Sequence, residues 1–143
     1  MKRAEFIKSS CLACSSLALP GAVTMLLESC GSMNMVKVDY DAGNKRCLVP
    51  LTKFLESNLL LMRVKGFEFD FIVIKKSETI YQTFELRCSH EDQPLDFSNK
   101  NIFCASHGSV FNFDGVPLKQ PATRPLKPLK TSISDQNLVI QLK

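Results

Sequence analysis

The residues best suited to chemistry in this 143-residue chain fall in two short boxes. Cys88-Ser89-His90 and Cys104-Ala105-Ser106-His107 form a C-x-H…C-x-x-H pair, and His90 and His107 are the only histidines in the chain. Thiolate and imidazole are both metal donors, so placing each histidine just after a cysteine points to a metal centre. In each box one cysteine and one histidine lie close together on a tight loop. Each loop can then give its cysteine to one iron and its histidine to the other, so that both straddle a [2Fe–2S] cluster. Imidazoles in place of two thiolates make such a cluster less negative and raise its reduction potential. A single zinc ion is the rival, because two Cys and two His also make a tetrahedral site. Zinc fingers group their ligands as C-x-x-C and H-x3–5-H instead of alternating them, which favours the cluster.

The rest of the chain offers no competing chemistry. There is no phosphate-cradling glycine loop, and with both histidines committed there is no mononuclear-iron triad and no Ser/His/Asp set. The chain by itself has no catalytic site and no small-molecule substrate, and is expected to accept and pass one electron. A composition 45% hydrophobic and 22% charged fits one globular domain with a real core. The net charge of +4 forms no basic stripe with interleaved aromatics, so nucleic acid is not an expected partner. Of the remaining cysteines, Cys47 has no evident partner and reads as a buried, inert thiol.

The elements that must position the boxes are strands. Val36–Tyr40 alternates apolar and polar residues before a turn at Asp41–Asn44. Pro50–Ser57 reads as one short helix with Leu51, Phe54 and Leu55 on one face. Leu59–Val64, Phe67–Lys75 and Ile80–Arg87 are rich in aromatic and β-branched residues and read as strands. Phe67, Phe69 and Phe71 share one side of theirs by the two-residue period. Ile102–Phe113 carries the second box between two short strands. Pro117–Leu129 holds four prolines and is neither helix nor central strand, and Asn137–Leu142 closes the domain as a strand. The fold class is all-β. Thirteen residues separate His90 from Cys104, enough for a hairpin that brings the two loops face to face.

With the boxes placed, the chain resembles the Rieske iron–sulfur family. The likeness extends to Gly108-Ser109-Val110-Phe111-Asn112-Phe113-Asp114-Gly115 and Pro121-Ala122-Thr123-Arg124-Pro125-Leu126, which resemble the family's His-Gly-Ser strand and its proline-rich covering loop. It covers roughly residues 36–143, with a cluster-binding hairpin subdomain at about 87–113 on an antiparallel β-sandwich or barrel. The resemblance implies one [2Fe–2S] cluster per chain, ligated by Cys88, His90, Cys104 and His107, with Gly108, Ser109, Phe111 and Pro121 around it. Solvent-side histidines are then the electron port, and the partners are redox proteins. The respiratory branch joins its boxes by a disulfide, but Gln93 and Ser106 occupy those places here. Ala105 stands where proline often follows the second cysteine. Phe111 stands where the high-potential branch has tyrosine, while Ser109 keeps a hydroxyl able to donate to a cluster sulfur. One lost hydrogen bond places the expected potential in the lower part of the window of about −150 to +300 mV.

Residues 1–29 read as an export signal, with Lys2 and Arg3 ahead of a largely apolar stretch from Ser10 to Leu27 interrupted by Pro20-Gly21. The run Lys2–Lys8 resembles a twin-arginine signal, and Leu27-Glu28-Ser29-Cys30 resembles a bacterial lipobox. The expectation is therefore lipidation at Cys30, an anchored linker over 30–35, and a domain on the periplasmic side or cell envelope. Three settings remain open: a free carrier, the small Rieske subunit of a membrane-side oxidoreductase such as a molybdenum enzyme, and a ferredoxin serving an oxygenase.

Overall fold

The computed structural model describes residues 35–142. The export-signal reading of 1–29 and the lipidation reading of Cys30 concern positions outside that span. The described chain runs β1 (Met35–Val38), β2 (Tyr40–Asp41), β3 (Arg46–Pro50), a single 3-10 turn (Leu51–Phe54), β4 (Leu59–Val64), β5 (Phe71–Lys75) and β6 (Tyr81–Glu85). It continues through β7 (Asp96–Phe97), β8 (Ile102–Phe103), β9 (Val110–Phe111), β10 (Pro117–Lys119), β11 (Pro128–Leu129), β12 (Thr131–Ser134) and β13 (Asn137–Gln141). The domain is all-β. No helix among the described residues is long and apolar enough to cross a membrane.

Three sheets form, ordered β1-β4-β5-β6-β11, β12-β13-β3-β2 and β10-β9-β8-β7. Pairing is antiparallel except that β1 lies parallel to β4, in register Met35 to Leu61. The first sheet lies between two cores. Residues Phe71 and Val73 point into one core with Cys47, Met62 and Ile140, while Ile72 and Ile74 point into the other with Phe84, Ile102 and Phe111. That double burial explains why Phe71-Ile72-Val73-Ile74 is a continuous apolar run instead of an alternating one. Each of these side chains contributes roughly 1.5–3 kcal/mol by leaving water.

The second core matters most, because it contains Cys88 and Cys104. It also depends on a close approach at Gly115, whose φ is +78 and whose absent Cβ would lie 2.8 Å from the Phe84 ring. Only glycine lets that turn fold under the ring.

Some expected elements are shorter than the sequence suggests. Pro50 is drawn into β3 opposite Asn137, the Leu51 N–H donates to the Gln136 carbonyl, and Asn58 already accepts from Lys75. Only residues 55–57 lie between that turn and Asn58, and the Ser57 hydroxyl is already bonded to Leu59, so the helix expected over Pro50–Ser57 is one 3-10 turn. The strand expected from Phe67 starts at Phe71, because Gly66 turns with φ +91 and Arg63 ion-pairs with Asp70 across the bend. Phe69 accordingly leaves the aromatic row, lying under the Arg87 guanidinium 5.6 Å from its ring centroid. The proline-rich segment gives only β10 and β11, both at sheet edges where a missing N–H is harmless.

Thr83, fully buried opposite Val73, leaves its hydroxyl without a hydrogen-bond partner among the described residues. Thr83→Val therefore removes an orphaned polar group at nearly constant shape. It is expected to stabilise the domain by about 1 kcal/mol. The check is a raised denaturation midpoint with an unchanged m-value, and a lowered midpoint refutes the reading.

Candidate metal centre

Both boxes are six-residue loops pinned in the same way. In the first, the Cys88 N–H donates to the Gln93 carbonyl at 2.8 Å, while Arg87 and Pro94 form a bridge behind it. In the second, the Cys104 N–H donates to the Ser109 carbonyl at 2.8 Å, above the β8–β9 pairing of Ile102 with Phe111. The Gly108 N–H closes that loop on the Cys104 carbonyl at 2.9 Å, and its φ of +77 is the left-handed conformation that favours glycine. The chain between the boxes makes the β7–β8 hairpin, turned at Ser98–Asn101. The Arg87 guanidinium grips Asp92 across the first loop at 2.6 and 2.8 Å and holds its carboxyl below the usual carboxylate range.

The donors separate by burial. Cys88 and Cys104 are sunk in the second core, whereas His90 and His107 are exposed. The two imidazole rings meet edge to face, 5.2 Å between centroids at 87°. Glu91 joins them, its carboxylate 3.6 Å from His107 Nε2, and the donor atoms of His90, Glu91 and His107 all lie within 4.8 Å of one another. Among the described residues no thiol joins that group. One tetrahedral ion needs all four donors within about 4 Å of each other, given metal–ligand bonds of about 2.0–2.3 Å. Imidazoles and thiols that do not close on one point suit a centre with two metal atoms better than a single ion.

A third loop is tied to both boxes. The buried Ser109 hydroxyl accepts from the Ala122 N–H at 3.0 Å, which leaves its own proton for an acceptor in the site. On the other side the Ser89 hydroxyl donates to the Arg124 carbonyl at 2.6 Å, and Arg124 Nη2 donates back to the Ser89 carbonyl at 2.8 Å. Pro121, exposed after a cis peptide, starts this loop. Phe111 is fully buried against the core and brings no hydroxyl. Sequence reasoning did not single out Glu91 or the Ser89–Arg124 pair. Glu91 follows a candidate ligand directly, whereas nothing in the spacing links positions 35 residues apart.

Cys47 stands apart. It packs between β13 and the first sheet, and burial, with a smaller push from Asp39, raises its thiol to about 11. It is an inert thiol at neutral pH. Cys47, Cys88 and Cys104 are the free cysteines among the described residues, and no disulfide links the boxes.

A small all-β domain with two buried thiols, two facing imidazoles and a proline-rich cover is the architecture of a histidine-and-cysteine iron–sulfur protein. A model of the Rieske [2Fe-2S] domain matches residues 48–131, and the chain belongs to that family. It is 35% identical over 81 residues to the cytochrome b6-f complex iron-sulfur subunit of Gloeobacter violaceus, across 54% of this chain and 43% of that protein. The match therefore spans less than half of that relative's length. The fold is similar to the plasma membrane Rieske protein PetC3 of Synechocystis PCC 6803, with TM-score 0.54 and 20% identity over 64% of this chain and 94% of that one. It is also similar to the ferredoxin of carbazole 1,9a-dioxygenase from Nocardioides aromaticivorans IC177, with TM-score 0.50 and 18% identity over 67% and 95%. The cofactor of a Rieske domain is a [2Fe–2S] cluster, and the donor set fits it: two buried thiols, two exposed imidazoles and a buried hydroxyl with a proton to give.

Two outcomes are expected. His90→Ala and His107→Ala each abolish the electron-spin signal of the reduced cluster, and an unchanged signal refutes that residue as a ligand. Arg124→Ala loses one of the reciprocal bonds to the first loop and lowers domain stability by about 1 kcal/mol. The same variant raises amide exchange at 121–125, and unchanged exchange there would show that the pair does not hold the loop.

Proposed function

We propose that the protein is an exported, membrane-anchored one-electron carrier whose cluster is held by Cys88 and Cys104 on one iron and by His90 and His107 on the other. The carrying observation is the split in burial: two thiols in an apolar core and two imidazoles at the surface. The cluster supplies the redox chemistry, one electron in and one out, with no bond made or broken in a substrate. The chain's residues fix the donors and set the potential. Ser109 and the backbone of both loops keep the cysteines inside, and the exposed imidazoles give a redox protein its closest approach. The leader-like segment and Cys30 support a lipid anchor on the periplasmic side or cell envelope of a bacterium.

A second reading, a subunit docked permanently on a larger membrane-side oxidoreductase, is favoured by one feature. Val116, just before edge strand β10, and Leu118 within it are both exposed, and the strand leads into the covering loop at Pro121. Such a pair suits a lasting apolar contact better than a brief polar one. The ferredoxin reading has no comparable support, because ferredoxins of that kind need no export signal.

The experiment that separates these is purification from membranes without denaturation. A free carrier elutes alone, a docked subunit brings a large partner with it, and a colourless preparation with stoichiometric zinc overturns the cluster. Redox titration tests the site itself. The wild type is expected in the lower part of the window of about −150 to +300 mV. Ser109→Ala lowers the potential and Phe111→Tyr raises it, because hydrogen bonds to sulfur favour the reduced, more negative cluster. A wild-type value near the top of the window refutes this assignment of the neighbours.

A further inference from the structure

The end of the domain farthest from the boxes carries an unexplained apolar group. Strand β6 leads from the turn at Lys76–Ile80 into Cys88, so that turn lies at the opposite end of the strand from the first box. The seven residue steps from Tyr81 to Cys88 span on the order of 20 Å. Strand β9 runs the opposite way. It leaves the second box at Ser109 and ends in a turn whose Asp114 pairs with Lys76 at 2.8 Å. Both ligand loops therefore share one end of the domain and both distal turns the other.

At that distal end Leu55 is 81% exposed and Ile80 59% exposed. The segments that carry them meet, because the adjoining Phe54 and Tyr81 rings pack edge to face with centroids 5.0 Å apart. Met35, 47% exposed, opens β1. Because β1 runs parallel to β4, the chain preceding Met35 heads toward the end where β4 begins, which is the end bearing the Lys76–Ile80 turn. Gly31–Asn34 alone separates Met35 from Cys30, a reach of roughly 17 Å.

We propose that this end, through Leu55, Ile80 and Met35, rests on the lipid bilayer and so holds the cysteine–histidine loops away from the membrane in the aqueous phase. The inference rests on the anchor reading for Cys30. A lipidated residue on so short a tether gives the apolar group an effective concentration at the membrane of order millimolar, so weak intrinsic affinity is enough. Charge is not the attraction, since Lys75 pairs with Glu78 and Lys76 with Asp114.

The chain contains no tryptophan, so single reporters are simple to introduce. Full-length Leu55→Trp and Ile80→Trp proteins, and Thr123→Trp in the covering loop as reference, are reconstituted into phosphatidylethanolamine–phosphatidylglycerol vesicles with and without brominated acyl chains. Emission from the first two should be blue-shifted and lose roughly half its intensity to the brominated lipid, independent of salt, whereas the reference is unaffected. Water-like, unquenched emission at positions 55 and 80 overturns the proposal. A blue shift without bromine quenching also overturns it, because a protein partner or a second copy then covers the pair. Mass spectrometry of the same preparation reads acylation at Cys30 separately. Acylation without quenching overturns the bilayer contact and leaves the anchor standing. Quenching without acylation supports the contact and removes the anchor.

Discussion

The constraint on which the site depends is that half of it belongs to a hydrophobic core. Cys88 and Cys104 pack with Ile72, Phe84, Ile102 and Phe111, so the sulfur side of any cluster sits in a medium that stabilises charge poorly. Adding an electron makes a cluster more negative, and such surroundings resist that unless hydrogen bonds compensate. Among the described residues Ser109 is the one buried hydroxyl in that core with a proton free to give, and Phe111 adds none. On the opposite side the exposed imidazoles are reached by water and, at His107, by the Glu91 carboxylate. The fold itself polarises the site, with the thiols in a dry core and the imidazoles facing water.

Holding three loops together without a disulfide is the next demand. Gln93 cannot bridge, but its carbonyl accepts from Cys88 and closes the first loop from within. Closure between loops falls to the reciprocal Ser89–Arg124 bonds and to the Ser109–Ala122 bond. Each is worth about 0.5–1.5 kcal/mol, and the two at the surface belong at the lower end of that range. Together they reach the lower part of the roughly 2–4 kcal/mol that a disulfide contributes. The difference is reversibility, because a hydrogen-bonded latch opens and recloses without redox chemistry. The buried Ser109–Ala122 bond is the firmer half, so the covering loop is held more tightly to the second box than to the first.

What could be read from the sequence divides along physical lines. The cysteine–histidine spacing was legible because metal chemistry restricts donor types and distances within a few residues. The strands Leu59–Val64 and Asn137–Gln141 were legible because each is a short apolar run bounded by polar turn residues. The 3-10 turn was not, since its length is set by the Leu51–Gln136 bond and by where β4 begins, both contacts distant in sequence. Phe69 shares the spacing of Phe67 and Phe71 and is buried, but the arginine 18 positions away that lies over its ring is written in no local pattern. The Ser89–Arg124 pair was equally hidden, as a serine and an arginine carry no periodicity. Local patterns show which face is buried, and only the assembled sheets show what lies against it.

Electron transfer asks little of a protein in covalent terms and much in geometric ones. Moving one electron shifts charge without moving a substrate, so any rearrangement of the donors between oxidation states slows the transfer. The answer here lies in the backbone. Each cysteine N–H is bonded five residues ahead, Cys88 to Gln93 and Cys104 to Ser109, so each ligand loop is closed by main-chain bonds that are indifferent to redox state. Behind the loops stand β6 and β9, whose Phe84 and Phe111 are fully buried in the same core as the thiols. Close-packed strands deform little under a change of one charge. The exposed histidines lie outside that packing, meeting each other edge to face with Glu91 beside His107. The thiol side is therefore the rigid half of the site and the exposed imidazole side the less constrained one.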